Sequence, residues 1–285
     1  MDCSLIDPFE VKLIVSDVDG TLLDSYHNLH PRTEAAILKV RKAHNIPFVI
    51  ATGKAFFATT HIRKALELSD CPAIHSNGCL RYNEREEVVK EHNLRPSVVL
   101  DIVNLARASQ PPITTYLYVR DDIVEVVVDP AGRHGRAWND ILSGFGERVE
   151  IAPPGFLERV ERGEVGVQKI LLFLDESYVP DLRVKLDNWA DEFHLTAALS
   201  YSVEILPLTA SKSLALADLL PMHNITADNV LAFGDGENDS SMLRMAKYGV
   251  AMANGMQIAK DSATYRTTSN DEGGVGAALE TIFKL

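Results

Sequence analysis

Two aspartates, Asp17 and Asp19, directly follow the apolar run Leu13-Ile14-Val15. Such a run predicts a buried strand, and the carboxyl ends of parallel strands open onto the crevice where ligands bind. A glycine at position 20 predicts a turn that brings the second carboxylate beside the first. A close acid pair favours a shared proton or a divalent cation, and hard oxygen ligands select Mg²⁺. The alternative is an Asp-rich turn without chemistry, because Asp-Gly is a common turn dipeptide.

A second acidic cluster, GDGEND at residues 234–239, follows another apolar run at residues 230–233. Two acidic strand ends in one parallel sheet can face each other. Three or four carboxylates brought together repel one another unless a cation lies among them or their pKa values rise. The alternative is a helix N-terminus, where Glu237 and Asp239 suit the positive end of the helix dipole, and both interpretations can hold.

Two further segments carry groups that bind phosphate. Thr52, Gly53 and Lys54 follow the apolar run at residues 48–51, and Ser211-Lys212 opens a predicted helix. A hydroxyl, backbone amides and an ammonium are the donors that a phosphoryl group requires. The alternatives are a helix cap at Thr52 and a solvated surface lysine at Lys212.

Short apolar runs alternate with helical patterns at both ends of the chain, which predicts an α/β fold with a mostly parallel sheet. Strands are predicted at 11–16, 46–51, 73–76, 229–233 and 249–252, and helices at 31–43, 55–68, 213–220, 240–247 and 275–283. Residues 1–82 and 207–285 are therefore predicted to build one domain around this sheet.

The middle of the chain, residues 83–206, has a different pattern. Residues 113–119 and 123–128 predict an antiparallel pair, followed by a strand at 168–174, a helix at 181–193 and a strand pair within 195–206. The pattern predicts an α+β domain inserted into the parallel one.

Composition restricts the partners and the compartment. The 285 residues include 28 Lys and Arg against 40 Asp and Glu, so a net charge of −12 gives no general attraction to nucleic acid or anionic lipid. Three cysteines without CxxC spacing favour a reducing compartment. Neither a basic or apolar leader nor an apolar run of membrane-spanning length is visible. We expect a cytoplasmic protein that binds neither nucleic acid nor membrane.

The order of the four polar segments resembles the haloacid dehalogenase (HAD) superfamily of phosphohydrolases over nearly the whole chain. Residues 17–23 resemble its first motif, residues 51–53 its second, Ser211-Lys212 with residues 214–216 its third, and residues 234–239 its fourth. The long insertion and the stretches at 203–207 and 250–255 are similar to the Cof-like branch. The resemblance implies a Rossmann-like parallel-sheet core with an inserted α+β cap that covers the site.

The resemblance also implies a role for each matching residue. Asp17 would be the nucleophile that forms an aspartyl-phosphate, and Asp19 the general acid and base. The carboxylates of Asp17 and Asp235 and the backbone carbonyl of Asp19 would hold Mg²⁺. Phosphoryl oxygens would be bound by Thr52, Gly53, Lys212 and Asn238, with Asp239 orienting Lys212 or a metal-bound water.

Two positions depart from the usual pattern of this superfamily. Lys54 stands where arginine is common, which keeps the charge and loses the planar bidentate fork. Ser213 stands where glycine commonly follows the motif lysine, and serine is tolerated at a helix start.

The implied activity is that of a Mg²⁺-dependent phosphatase whose partner is a small phosphorylated metabolite, such as a sugar phosphate or a related phosphomonoester. A phosphotransferase or phosphomutase would use the same aspartyl-phosphate. A phospho-acceptor signalling module is a third hypothesis, opposed by the acid-base residue Asp19 and the large insertion. A catalytically dead scaffold is disfavoured because every proposed catalytic position carries a competent residue.

Overall fold

A computed structural model describes residues 1–128, 138–189 and 191–285. The chain divides into two compact units. Unit 1 comprises Met1–Gly53, Thr60–Val89 and Ser211–Leu285, and unit 2 comprises Lys54–Thr59 and Lys90–Ala210. That these units act as a catalytic core and a cap stays a prediction.

The strands and helices alternate through most of the chain. The strands are β1 (Leu13–Ser16), β2 (Phe48–Ala51), β3 (Ala73–His75), β4 (Leu80–Tyr82), β5 (Val88–Glu91), β6 (Thr114–Val119), β7 (Asp122–Val127), β8 (Val149–Ile151), β9 (Lys169–Phe173), β10 (Phe193–Thr196), β11 (Ser202–Pro207), β12 (Val230–Gly234), β13 (Tyr248–Ala251) and β14 (Tyr265–Arg266). The helices are α1 (Pro31–His44), α2 (Thr60–Ala65), α3 (Pro96–Ala108), α4 (Trp138–Gly144), α5 (Phe156–Glu161), α6 (Val179–Leu186), α7 (Lys212–Leu219), α8 (Ser240–Met245), α9 (Gln257–Ser262) and α10 (Gly274–Phe283).

An eight-stranded sheet organises unit 1, in the order β14-β13-β12-β1-β2-β3-β4-β5. The neighbours from β14 to β3 pair in parallel, and β4 turns back antiparallel to β3. Strands β1 and β12 lie at the centre, so their carboxyl ends are adjacent. This confirms the predicted α/β fold and the parallel sheet.

The two faces of this sheet bury different helices, because alternate side chains of a strand point to opposite faces. Ile14 of β1 packs in a core with residues of α1 and α10. Leu13 and Val15 pack in a second core with residues of α7 and α8. Continuing this alternation predicts that Asp17 points to the α7 side, where Lys212 begins the helix.

Unit 2 contains a six-stranded sheet in the order β10-β11-β9-β6-β7-β8. Its pairs are antiparallel except β7 with β8, and β6 pairs with β7 as the sequence predicts. Helices α3, α5 and α6 contribute to the core on one face of the sheet, and an aromatic cluster that includes Tyr116 and Phe173 lies on the other. Unit 2 therefore has the predicted α+β character.

Two predicted helices are shorter than expected. The pattern at residues 55–68 resolves into a 3-10 turn at Phe57–Thr59 and the short α2, because Glu67 adopts a left-handed backbone conformation (φ 53°) that ends the helical run. The helix predicted at 181–193 is α6, which ends at Leu186 before a 3-10 turn at Asp187–Trp189, and Phe193 already belongs to β10. Among the described residues, none of the helices has the length and apolar character to span a membrane.

Candidate active site

Asp17 lies at the end of the central strand β1, and its side chain is buried. Its backbone N–H donates to the carbonyl of Phe233 in the neighbouring strand at 3.0 Å, which extends the ladder by one residue. The sheet therefore fixes the backbone of Asp17 while the side chain projects from the strand end, as the sequence predicts.

Lys212 is the charged residue that meets Asp17. Ser211 caps α7 by accepting a hydrogen bond from the N–H of Leu214 at 3.1 Å, so Lys212 is the first residue of the helix. Its side chain is fully buried, and Nζ donates to Oδ1 of Asp17 and to Oδ1 of Asp239, each at 2.6 Å. The alternative of a solvated surface lysine is therefore wrong.

Asp239 closes the loop that follows β12. Its Oδ2 accepts hydrogen bonds from the backbone N–H groups of Asp235 and Gly236, both at 2.9 Å, while its Oδ1 faces Lys212. Both carboxylate oxygens are thus engaged by the protein. This arrangement suits a residue that holds Lys212 and the loop more than one that coordinates a metal.

Asp235 stands at the same sheet edge and faces the loop after β1. Its Oδ1 accepts a hydrogen bond from Oγ1 of Thr21 at 2.8 Å. Gly20 adopts a left-handed conformation (φ 75°), and a Cβ at this position would collide with the Asp235 carboxylate. The turn predicted at position 20 therefore requires glycine both for its backbone conformation and for this close approach.

One carboxylate oxygen from each of Asp17, Asp235 and Asp239 lies within 4.8 Å of the others. Burial raises the pKa of Asp17 well above its ordinary value, and the neighbouring carboxylates raise it further against the opposing effect of Lys212. Burial and the charge of Asp239 raise the pKa of Asp235 to about 7. Burial disfavours the charged form of Lys212, but Asp17 and Asp239 outweigh it and raise its pKa. With all three carboxyl groups ionised, the cluster would thus carry more negative charge than one ammonium balances.

These residues fit a divalent cation. Their ligand atoms are hard oxygens, and a positive ion among Asp17 and Asp235 would offset the repulsion that raises their pKa values. Asp19 also contributes to that repulsion, so its charge lies near the cluster. Its carboxylate is 3.9 Å from Nδ1 of His27.

Three of the four predicted phosphate-binding residues, Thr52, Gly53 and Asn238, meet at Asn77, a residue for which no role is predicted from the sequence. The N–H of Asn77 donates to the carbonyl of Thr52 at 2.9 Å, and its Oδ1 accepts from Nδ2 of Asn238 at 3.0 Å. A Cβ at Gly53 would lie 3.1 Å from that same Oδ1. Asn77 follows strand β3, so the strand-end rule that selected Asp17 could have found it too.

Lys54 and Ser213, the two residues that depart from the motif pattern, make different contacts. Lys54 groups with unit 2, where its buried ammonium donates to the carbonyl of Phe145 at 2.5 Å. Ser213 shares a hydrogen bond with Ser211 at 2.9 Å and donates another to Ser241 at 2.9 Å. Serine therefore joins the polar side chains around the start of α7.

Comparison with known proteins identifies the family. A model of the haloacid dehalogenase-like hydrolases matches residues 14–279. An uncharacterized hydrolase of Schizosaccharomyces pombe is 36% identical over 284 residues, covering 96% of this chain and 91% of that protein. A 5-amino-6-(5-phospho-D-ribitylamino)uracil phosphatase of Bacillus subtilis is 25% identical over 287 residues, covering 95% of this chain and 98% of that protein.

Solved structures agree with this match. The crystal structure of a haloacid dehalogenase-like hydrolase from Bacteroides thetaiotaomicron superposes with a TM-score of 0.79 at 27% identity, covering 96% of this chain and 100% of that one. Similar folds include a HAD/COF-like hydrolase from Plasmodium vivax, with a TM-score of 0.82 at 22% identity and 96% of each chain covered. The chain therefore belongs to the haloacid dehalogenase-like hydrolases, as its four motifs predict.

Proposed function

We propose that this hydrolase is a Mg²⁺-dependent phosphatase that cleaves small phosphomonoesters through an aspartyl-phosphate on Asp17. The observation that carries the proposal is the buried arrangement at the end of β1, where Lys212 bridges Asp17 and Asp239 beside Asp235. A lysine held by two carboxylates keeps its charge, and it places an ammonium next to the oxygen that would attack phosphorus.

Asp17 would begin the reaction as a carboxylate. Its oxygen attacks phosphorus, the bond from phosphorus to the ester oxygen breaks, and the departing oxygen takes a proton from the carboxyl group of Asp19. Water then attacks the phosphoryl group while Asp19 accepts its proton. The bond from phosphorus to Asp17 breaks, which releases inorganic phosphate and restores both aspartates.

The remaining site residues would bind the phosphoryl group and the cation. Lys212, Thr52, Gly53 and Asn238 would hold phosphoryl oxygens, and Asn77 supports this assignment by joining the segments of Thr52 and Asn238. The carboxylates of Asp17 and Asp235 and the backbone carbonyl of Asp19 would hold Mg²⁺. When bound, Mg²⁺ would supply positive charge that lets an anionic nucleophile approach an anionic phosphate.

Small phosphorylated metabolites are the proposed substrates, in particular sugar phosphates or related esters. The similar Bacillus subtilis protein is named for the phosphate ester of a ribityl compound, which supports this class. The net charge of −12 supports it as well, because it gives no general attraction to a nucleic acid. A cytoplasmic location stays a prediction.

The test is phosphate release from a panel of sugar phosphates, nucleotides and 4-nitrophenyl phosphate, with Mg²⁺ or with EDTA. Asp17→Asn keeps the shape of the side chain and removes the nucleophile's charge. We expect release that requires Mg²⁺ and disappears in Asp17→Asn. Release that is indifferent to Asp17 would contradict the mechanism, and transfer of phosphate to an added alcohol in place of water would identify a phosphotransferase.

A further inference from the structure

Two asparagines outside the four motifs bind the loop that carries Asp19. Nδ2 of Asn254 donates to the backbone carbonyl of Gly20 at 2.8 Å, and Nδ2 of Asn270 donates to the carbonyl of Leu23 at 2.8 Å. The two asparagines are themselves joined, because the N–H of Asn270 donates to Oδ1 of Asn254 at 3.0 Å. We call Asn254 and Asn270 the asparagine clamp.

Asn254 bonds the carbonyl of Gly20, and the carboxylate of Asp235 lies close to the same glycine. A Cβ at Gly20 would collide with the Asp235 carboxylate, and the following residue, Thr21, donates to that carboxylate. The loop of Asn254 is fixed to the same place, since the N–H of Met256 donates to the backbone carbonyl of Asp235 at 2.7 Å. The clamp thus ties the loop after β1 to the loop after β12.

Asp19 immediately precedes Gly20, so the carbonyl bonded by Asn254 belongs to the next peptide unit after Asp19. A shift of that peptide would move both the carboxyl group and the backbone carbonyl of Asp19. General acid catalysis needs its donor within hydrogen-bond reach of the departing oxygen, and a displacement of about 1 Å can cost about 100-fold in rate.

We infer that the asparagine clamp positions Asp19 for proton transfer to the leaving group. Asn254 and Asn270 are positioning residues here, because the described hydrogen bonds of their side chains go to the loop and to each other. Asn254 is exposed, so its replacement leaves no cavity in either hydrophobic core. The inference rests on the proposed phosphatase activity and on the acid role of Asp19.

The test compares two esters of similar size that differ in their need for a proton. Benzyl phosphate releases a strongly basic alkoxide that must be protonated as it departs, whereas 4-nitrophenyl phosphate releases a stable phenolate. The ratio kcat/KM contains only the steps up to loss of the leaving group, so the shared hydrolysis of the aspartyl-phosphate does not enter it.

For Asn254→Ala we expect kcat/KM to fall about 10- to 100-fold with benzyl phosphate and less than about threefold with 4-nitrophenyl phosphate. Asn270→Asp, which removes the donor to Leu23 and keeps the side-chain shape, should show the same selectivity. Asp19→Asn sets the upper limit of this selectivity.

Asn28→Ala is the matched control, because Asn28 lies on the same loop, is exposed, and its side chain donates to Tyr26 at 3.4 Å, away from Gly20 and Leu23. It should leave kcat/KM for both esters within about twofold, as a surface substitution does. An equal loss on both esters in Asn254→Ala, or no loss, would overturn the inference.

Failure of the proposed function has a different signature. If wild-type protein with Mg²⁺ hydrolyses neither ester, or if Asp17→Asn retains full activity, the phosphatase mechanism is wrong and the inference falls with it. Retained dependence on Asp17, with the two esters equally affected in Asn254→Ala, removes the inference alone.

Discussion

Lys212 of unit 1 and Lys169 of unit 2 are both almost completely removed from solvent. Lys212 of unit 1 donates to Asp17 and Asp239, each at 2.6 Å, and Asp235 lies in the same cluster. Lys169 of unit 2 donates to Glu204 at 2.9 Å and lies 3.9 Å from the centre of the Tyr118 ring. Each ammonium is buried, but the charges that surround the two ammonium groups differ.

The difference separates a reactive cluster from an internal ion pair. Lys212 bonds two carboxylates and a third, Asp235, lies in the same cluster, and burial and mutual repulsion raise the pKa values of Asp17 and Asp235. Among the described contacts of unit 2, Lys169 forms an ion pair with Glu204, and the aromatic face of Tyr118, which attracts a cation, lies against its ammonium. A buried lysine therefore indicates a catalytic site only where its partners carry charge in excess.

The largest expected difference is in activity. Lys212→Met should reduce turnover of 4-nitrophenyl phosphate by about 1,000-fold, because it removes the ammonium beside the attacking oxygen and the phosphoryl group. Lys169→Met should retain turnover within about tenfold when measured at a temperature where the variant is folded, since Lys169 packs between strands of unit 2. Circular dichroism on both variants confirms folding. Similar losses in the two variants would break the comparison.

The next difference is in stability. Lys169→Met alone leaves Glu204 buried with its described ionic partner removed, which should cost about 3–5 kcal/mol of unfolding free energy. The double variant Lys169→Met/Glu204→Leu should recover part of this loss, because it removes both charges of the described ion pair together and replaces them with apolar side chains of similar volume. Urea unfolding measures both.

Failure of the double variant to recover would mean that the pair contributes more than charge balance to unit 2. In unit 1, replacing Asp17 or Asp239 together with Lys212 should not restore activity, because both aspartates take part in the reactive cluster. The two lysines thus respond differently to removal of their partners.

Sequence alone predicts the strands that precede the acidic residues around Lys212. The apolar runs before Asp17 and Asp235 predict that both acids follow strands of one sheet, and the structure pairs these strands, β1 and β12, in parallel. The resemblance to the HAD superfamily selects Lys212. The predicted fold and family are confirmed because strand periodicity and motif order are local properties of the chain, whereas the role of each site residue stays a prediction.

Other contacts could not be predicted because they depend on distant segments. Asn254 bonds a carbonyl 234 residues away, and Asn238 bonds Asn77 across 161 residues. Asparagine is common in turns, so its presence gives no signal of such a contact. The helix predicted at 55–68 is shorter than expected for a different reason, since no local pattern indicates the left-handed conformation of Glu67.

A substitution at Asp235 has the smallest expected effect and tests most directly whether the carboxylates around Lys212 repel one another. Its pKa is raised to about 7 in the folded protein, above the value of about 4 expected when unfolded. The contribution of Asp235 to the free energy of unfolding is therefore fully present below about pH 4, where the group is protonated in both states. This contribution is lost as the pH rises through about 7. Asp235→Asn removes the ionisation and should stabilise the Mg²⁺-free protein by about 1–3 kcal/mol at pH 8.

The stabilisation of Asp235→Asn should shrink toward zero near pH 4, where wild-type Asp235 is largely protonated. Thermal unfolding in EDTA at both pH values measures it, and Asp228→Asn, on an exposed acid before β12, is a matched control that should change little at either. Added Mg²⁺ should raise the melting temperature of wild type and leave Asp235→Asn nearly unchanged, because the variant lacks one of the proposed ligands. If Asp235→Asn is less stable than wild type at pH 8, the hydrogen bond from Thr21 outweighs the repulsion among the carboxylates. The excess of acidic groups would then not explain the difference between the surroundings of Lys212 and those of Lys169.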